Sequence, residues 1–291
     1  MVSVDNLDCL DLLIWLGKGA AVKQRLNFSE SKISRMARRV ADAFEVSLIK
    51  RNGEWTVIGD TALLDLQRLV HQEYRWAMRR PLRIEAHYCS GRVLSGCLPE
   101  SWIKGNFDPV EVQIPLRYLR NGIIDAWIGV FPDVPEEEDG DLYCFHLIRM
   151  PVHPVVATDH PLIALGDRVT LEDVKRYPSR VFPNYALPRF QAMMQELELW
   201  NPMMLKKSHN FDQWEGGMTG GEIVGYATQL TIDFFDRTHM LLPIQVPFEV
   251  GETLVVRREY AIHPRFEELV SDLKGQAVEL QQRFPSICLC F

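Results

Sequence analysis

The sequence predicts an α/β chain built from unlike parts: a small helical head closed by a β-hairpin, one long connecting helix, and a larger strand–helix body. Three observations carry that expectation. An amphipathic run at residues 29–44 has one apolar and one basic face. Asn52–Gly53 sits between two short extended runs. From Leu82 onward, extended segments alternate with helical ones, the pattern of a largely parallel sheet with covering helices.

The head comes first. Leu7, Leu10 and Ile14 recur at helical spacing and give a first short core helix. A second short helix fits residues 18–26, with a tight turn at Asn27–Phe28. In the third, Ile33, Met36, Val40 and Phe44 form an apolar stripe, while Lys32, Arg35 and Arg39 repeat on another face, joined by Arg38. Ser29 is placed to cap it. Two short helices joined by a tight turn, the second basic on its outer face, form a helix-turn-helix pattern. Asn-Gly between extended runs marks a hairpin, and a hairpin after such a helix makes the head winged, with Lys50 and Arg51 on the wing. Lys18, Ser29, Glu30, Ser31, Lys32, Arg35, Arg39, Lys50 and Arg51 are the candidate contacts to double-stranded DNA. The first turn of the third helix is aimed at base edges and the other cations at phosphates.

These residues resemble the N-terminal domain of LysR-type transcriptional regulators. Leu26-Asn27-Phe28-Ser29 stands where that family has Leu-x-Val-Ser, Ile33-Ser34-Arg35 where it has hydrophobic-Ser-Arg, and Leu48 and Arg51 match its Leu-Phe-x-Arg run. Val22-Lys23, Val40-Ala41, Phe44-Glu45 and Gly59 depart from the family pattern, so the head is divergent.

Residues 60–78 read as a long helix, capped by Asp60 and stopped by Pro81. Leu63, Leu66, Val70, Tyr74 and Ala77 line one side of it, more apolar surface than a 58-residue head can cover, and the simplest partner is a second copy of the chain. In the LysR-type family the matching segment is the dimerising linker helix, and the resemblance further implies a homodimer or homotetramer.

In the body, strands are expected at 82–88, 110–114 and 123–130, with helices opening at Ser90–Gly91 and covering 116–121. The acidic 133–141 stretch reads as a solvated loop. A second unit begins near Pro151, with strands at 152–158, 203–207, 223–227, 240–246 and 252–258, helices at 187–200 and 211–217, and a closing helix at 266–284. Leu119-x-x-Gly122-x-x-Asp125, His160-Pro161-Leu162 and Val169-Thr170-Leu171-Glu172-Asp173 extend the LysR-type resemblance over nearly the whole chain. It implies an effector domain of two α/β subdomains with a cleft between them, like a periplasmic binding protein. The expected organisation is a head at 1–58, a linker helix at 59–80 and an effector domain at 81–291. Within that domain, subdomain I takes about 81–150 and 252–291, and subdomain II about 151–251. For the cleft the candidates are Ser90 and Gly91 at a helix start, Gly129 and Phe131 at a strand end, and His209 and Asn210 from the other side. Free N–H groups there point to a small organic anion.

Composition narrows the alternatives. The 291 residues carry a net charge of −7, but residues 1–80 hold 13 Lys and Arg against 10 Asp and Glu, and the remainder 19 against 29. A mildly basic head on an acidic body suits a nucleic-acid contact confined to the head. Six cysteines without a CxxC pair favour free thiols in a reducing compartment. The first residues hold three Asp and no basic leader, and no apolar run approaches 18 residues, so the expectation is a cytoplasmic protein with no membrane partner. His146, His153, Asp159 and His160 fit no standard ligand spacing, the Gly216–Gly221 run is not a dinucleotide fingerprint, and there is no GxSxG. No metal, cofactor or enzymatic activity is expected. Two functions remain: a DNA-binding regulator that senses a small molecule, or a small-molecule or protein-interaction module whose head has lost DNA affinity.

Overall fold

The computed structural model describes residues 2–51, 54–107, 111–136, 139–179, 186–201, 222–235 and 239–291. The head holds α1 (Val4–Leu16), α2 (Gly19–Leu26), α3 (Glu30–Ala43) and the hairpin β1 (Ser47–Arg51) and β2 (Glu54–Ile58). Asn27, in the left-handed region at φ 52°, turns the chain between α2 and α3, and the Ser29 hydroxyl accepts the backbone N–H of Lys32 to cap α3. Ile33, Met36, Ala37 and Val40 pack α3 onto α1, with Cys9 Sγ 3.9 Å from Met36 Sδ. β1 and β2 pair antiparallel, Leu48 opposite Val57 and Arg51 opposite Glu54. The Asn52–Gly53 turn lies outside the described residues.

α1 is apolar on nearly every side and buried from Leu7 to Leu16, Asp8 excepted. A helix of that kind needs cover all round. The cover is the body: Trp15 Nε1 donates to Glu85 at 2.7 Å, Asn106 Nδ2 to the Leu16 carbonyl at 3.1 Å, and Arg25 Nη2 to the Lys104 carbonyl at 3.1 Å. Head and body thus share one core.

The linker helix α4 (Ala62–Ala77) follows the hairpin. The body's main sheet contains β3 (Leu82–Ala86), β4 (Trp102–Lys104), β5 (Ala126–Phe131), β6 (Leu142–His146), β7 (Ile148–Pro151), β11 (Glu249–Arg257) and β12 (Cys288–Leu289). Their order is β12-β7-β11-β5-β3-β4, with β6 also on β11. β3 runs parallel to β4 and β5, whereas β11 returns antiparallel to β5. α5 (Tyr88–Leu94) and α6 (Gln113–Arg120) connect the parallel strands. The last helix, α10 (Pro264–Arg283), lays Leu269, Leu273, Ala277 and Leu280 on the sheet face that carries Ile84, Ile128, Leu254 and Val256.

The second subdomain has the three-stranded sheet β10-β8-β9, made of β8 (His153–Ala157), β9 (Gly225–Ala227) and β10 (His239–Leu241). Around it lie a 3₁₀ stretch at Pro161–Arg168, α7 (Leu171–Val174), α8 (Pro188–Glu196) and α9 (Gln229–Phe235). Thr170 and Asp173 form a reciprocal capping box on α7, and His160 caps the 3₁₀ stretch through Nδ1.

Several expected elements shift. Residues 111–112 are not extended, and helix α6 already starts at Gln113. The second parallel strand is instead β4, whose Trp102 falls on a helix by apolar spacing alone. β6 and β7 are short and their partners lie far along the chain, β6 on β11 and β7 between β11 and β12, so nothing local marks them as strands. The return strand begins at Glu249 rather than 252. The strand expected at 203–207 and the helix at 211–217 lie outside the described residues.

Candidate functional site

Three surfaces emerge. The first is the outer face of the head. Arg35, Arg38 and Arg39 all stand exposed on α3, and no described residue forms an ion pair with them. Ser31 and Glu30 are exposed in the first turn. The Ser29 hydroxyl, besides capping, lies 3.1 Å from Ser31 Oγ. Lys32 is half-buried, its ammonium 3.6 Å from the Phe28 ring centre. Lys18 is exposed before α2, and Lys50 and Arg51 are exposed on β1, with Lys50 5.5 Å from the Trp55 ring. The head docks onto the body by α1 and α2, so the basic side of α3 faces outward.

The second surface is α4, which has two unlike faces. Leu63, Leu66 and Val70 are 71, 59 and 63% exposed. Together with Val2 and Phe44 they line an apolar groove of about 380 Å³. Tyr74 is half-buried, near-parallel to the His71 ring at 6.5 Å. The opposite face is buried and highly polar. Arg75 makes a two-pronged pair with Asp125, Nε to Oδ2 at 3.0 Å and Nη2 to Oδ1 at 2.9 Å, and also reaches the Gly122 carbonyl at 2.8 Å. Gln72 donates to Asp125 and to the Ile124 carbonyl, both at 3.1 Å. Arg68 Nε donates to Asp11 of α1 at 2.8 Å, and Arg83 of β3 pairs with Asp8. Burial, aided by Arg75 and Arg83, pulls the His71 imidazole down to about 4. This network ties head, linker and main sheet together. The sequence signal for it was an Arg68/His71/Gln72/Arg75 row at helical spacing, opposite the apolar row.

The third surface is a cavity of about 80 Å³ between the two body sheets. His87, Tyr88 and Val93 come from α5 and its N-cap, Val130 from β5, Met150 and Val152 from the crossover, Leu187 and Phe190 from the start of α8, Tyr226, Ala227, Thr228, Leu230 and Thr231 from β9 and α9, and Val250, Gly251 and Glu252 from β11. Of the sequence-nominated cleft residues, the four described ones lie beside this cavity rather than in it. Ser90 is fully buried and its hydroxyl donates to Glu252. Gly91 has no open face, since a Cβ there would lie 2.4 Å from Phe107. A Cβ on Gly129 would meet the Trp127 ring at 2.5 Å, and Phe131 stacks under Arg149 at 3.8 Å, with His146 at its edge. Alternation along β5 accounts for the placement of Gly129 and Phe131: Val130 lines the cavity, so its neighbours point away. His209 and Asn210 lie outside the described residues. An organic anion at Ser90 would have to displace the chain's own Glu252 carboxylate, which accepts that hydroxyl. Burial pushes the Glu252 carboxyl up to about 7, against the opposing pull of Ser90 and Arg149.

The acidic loop also proves structural. Asp133 accepts the backbone N–H groups of Arg189 at 2.6 Å and Phe190 at 3.0 Å, so it caps α8 across the subdomain boundary. Arg189 in turn holds the Pro132 and Val134 carbonyls. His146 bonds Thr253, and His153 meets the Leu242 carbonyl. Among the described residues no three His, Cys, Asp or Glu side chains converge on a metal position, and no helix is long and apolar enough to cross a membrane.

Comparison with known proteins fits this architecture. A full-length OxyR from Pseudomonas aeruginosa, in a cysteine-to-aspartate variant, superposes with a TM-score of 0.56 at 16% identity, covering 95% of each chain. Full-length CbnR, in complex with its target DNA, gives 0.55 at 14% identity, over 94% of this chain and 99% of that one. A probable transcriptional regulator from Pseudomonas aeruginosa gives 0.59 at 14% identity, over 94 and 96%. No curated protein sequence matches the chain. Residues 108–277 match the LysR substrate binding domain, and the chain belongs to the LysR-type family.

Proposed function

We propose that this protein is a DNA-binding transcriptional regulator whose effector domain takes a small molecule in the cavity between its two sheets. The observation that carries the proposal is the outward face of α3, where Arg35, Arg38 and Arg39 stand exposed and free of ion pairs while the head docks onto the body through α1 and α2. Side chains that neutralise no partner of their own are available to neutralise phosphates. CbnR, of the same fold, has been seen on its target DNA. The apolar groove along Leu63, Leu66 and Val70 supports self-association through α4.

The test is retention of the full chain on DNA-cellulose, followed by sequencing of fragments recovered from a genomic library at increasing salt. The expected outcome is retention at low salt, graded release, and enrichment of a small set of sequences. Passage through the column at the lowest salt, with no enrichment, would instead establish a module that has lost DNA binding.

A further inference from the structure

We infer that the cavity between the two sheets is built for a small, uncharged, mainly apolar molecule that donates a hydrogen bond to Glu252, and that it disfavours organic anions. The inference rests on the reading of this cavity as the effector site.

Its walls are mostly Val93, Val130, Met150, Val152, Phe190 and Leu230. The polar groups among the described lining residues are largely engaged elsewhere. Tyr226 donates its hydroxyl to the Leu199 carbonyl at 3.0 Å, and the Thr228 and Thr231 hydroxyls lie 3.0 Å from each other. Glu252 is the one carboxylate in that lining, 5% exposed, and one of its two oxygens is taken by Ser90. No Lys or Arg is among the described lining residues. The nearby cation, Arg149, is engaged by the Ile148 carbonyl, His146 and the Phe131 ring, and it makes no ion pair with Glu252.

An incoming carboxylate would therefore meet a second carboxylate at low dielectric, where the described residues offer only the pull of Arg149, already engaged by other partners, and like charges so placed disfavour each other's ionised forms. A neutral molecule meets no such barrier, buries apolar surface, and leaves the remaining Glu252 oxygen to accept its donor. The raised Glu252 pKa agrees with a carboxyl group placed in an apolar wall. At about 80 Å³ the cavity has roughly half the volume of an engineered pocket that takes benzene. The occupant is thus smaller than benzene, of about three or four carbons by that comparison.

The experiment uses the full chain at pH 8 and three probes of one skeleton: isobutanol, isobutyramide and isobutyrate. Binding is titrated by ligand-observed NMR. The expected result is that the alcohol and amide bind at least tenfold tighter than the acid. Glu252→Gln should shrink that gap to less than threefold. Val93→Phe, or Thr231→Phe at the cavity rim if the first variant does not fold, should abolish binding of the neutral probes. Isobutyrate binding as tightly as the neutral pair, and lost in the filled variant, would overturn the ligand class but leave the cleft as the site. Neutral binding untouched by either filling variant would overturn the cleft itself as the effector site. Absence of binding by all three probes would overturn the proposed class.

Discussion

Glu252 and His71 show how single buried groups set the response of this protein to pH. Glu252 has its carboxyl raised to about 7, so the folded state holds its proton more tightly than the unfolded chain does. Its contribution is most favourable below the unfolded value and is lost as pH climbs through the folded one, a window of about pH 4.5 to 7. Glu252→Gln keeps the Ser90 hydrogen bond and removes the charge. The variant should gain on the order of 2–3 kcal/mol relative to wild type at pH 8 and almost nothing at pH 4.5, as read by urea unfolding at both pH values. Equal midpoints at pH 8 would show that the carboxylate is solvated in the native state. His71 has the opposite sign. Its imidazole is depressed to about 4, so it stays neutral when folded, and stability falls as pH drops from about 6.5 towards 4. His71→Gln should flatten that acid limb; an unchanged slope between pH 6.5 and 4 would place the ring in solvent. Neither group was legible in the sequence, because a lone Glu or His carries no mark of its burial. Ser90 sits beside the cleft the sequence points to but in a different role, since what its hydroxyl meets comes from a strand 162 positions later.

At the scale of elements, α4 is the piece that joins the two halves. Its apolar stripe was readable from spacing alone, and so was the helix. Its second, polar face was written just as plainly in Arg68, His71, Gln72 and Arg75, but a charged row reads as solvated until its partners are known. Those partners, Asp11, Asp125 and Gly122, come from α1 and from the turn before β5. Asp125 belongs to the Leu119-x-x-Gly122-x-x-Asp125 motif, and here that motif is the seat of the linker helix. Removing the carboxylate with Asp125→Ala leaves a buried guanidinium without its counter-ion, at a cost of about 3–5 kcal/mol. The melting temperature should fall by roughly 6–20 °C on the usual scaling for chains of this size. A fall of under a degree in scanning calorimetry would mean that α4 is not held there. α1 offered a similar missed signal. The run 9–16, CLDLLIWL, is too apolar for a helix with one free side, and that excess reports its place between head and body. By contrast, the helix cap at Ser29 was legible because capping is local. Strands β6 and β7 were not, since their cover comes from the distant β11 and β12.

For the molecule as a whole, the account is of a compact chain that shows two unused surfaces to the outside: the Leu63/Leu66/Val70 groove and the cationic face of α3. The groove predicts self-association. Leu66→Glu together with Val70→Glu would bring like charges into the seam, and light scattering should show the mass fall to that of a single chain; the same mass before and after would move the interface elsewhere. The two-part architecture was legible from the order of elements and the LysR-type motifs, while the docking of head on body was not, because it depends on α1 side chains meeting Glu85 and Asn106 far along the chain. The central claim is that the α3 face binds duplex DNA. Its most direct test is the affinity of the full chain for mixed genomic fragments from 50 to 200 mM salt, for wild type, Arg35→Ala and Arg39→Ala. Each variant is expected to bind more weakly and to lower the log–log salt slope by about one unit per lost phosphate contact. Unchanged affinity and unchanged slope in both variants would contradict it.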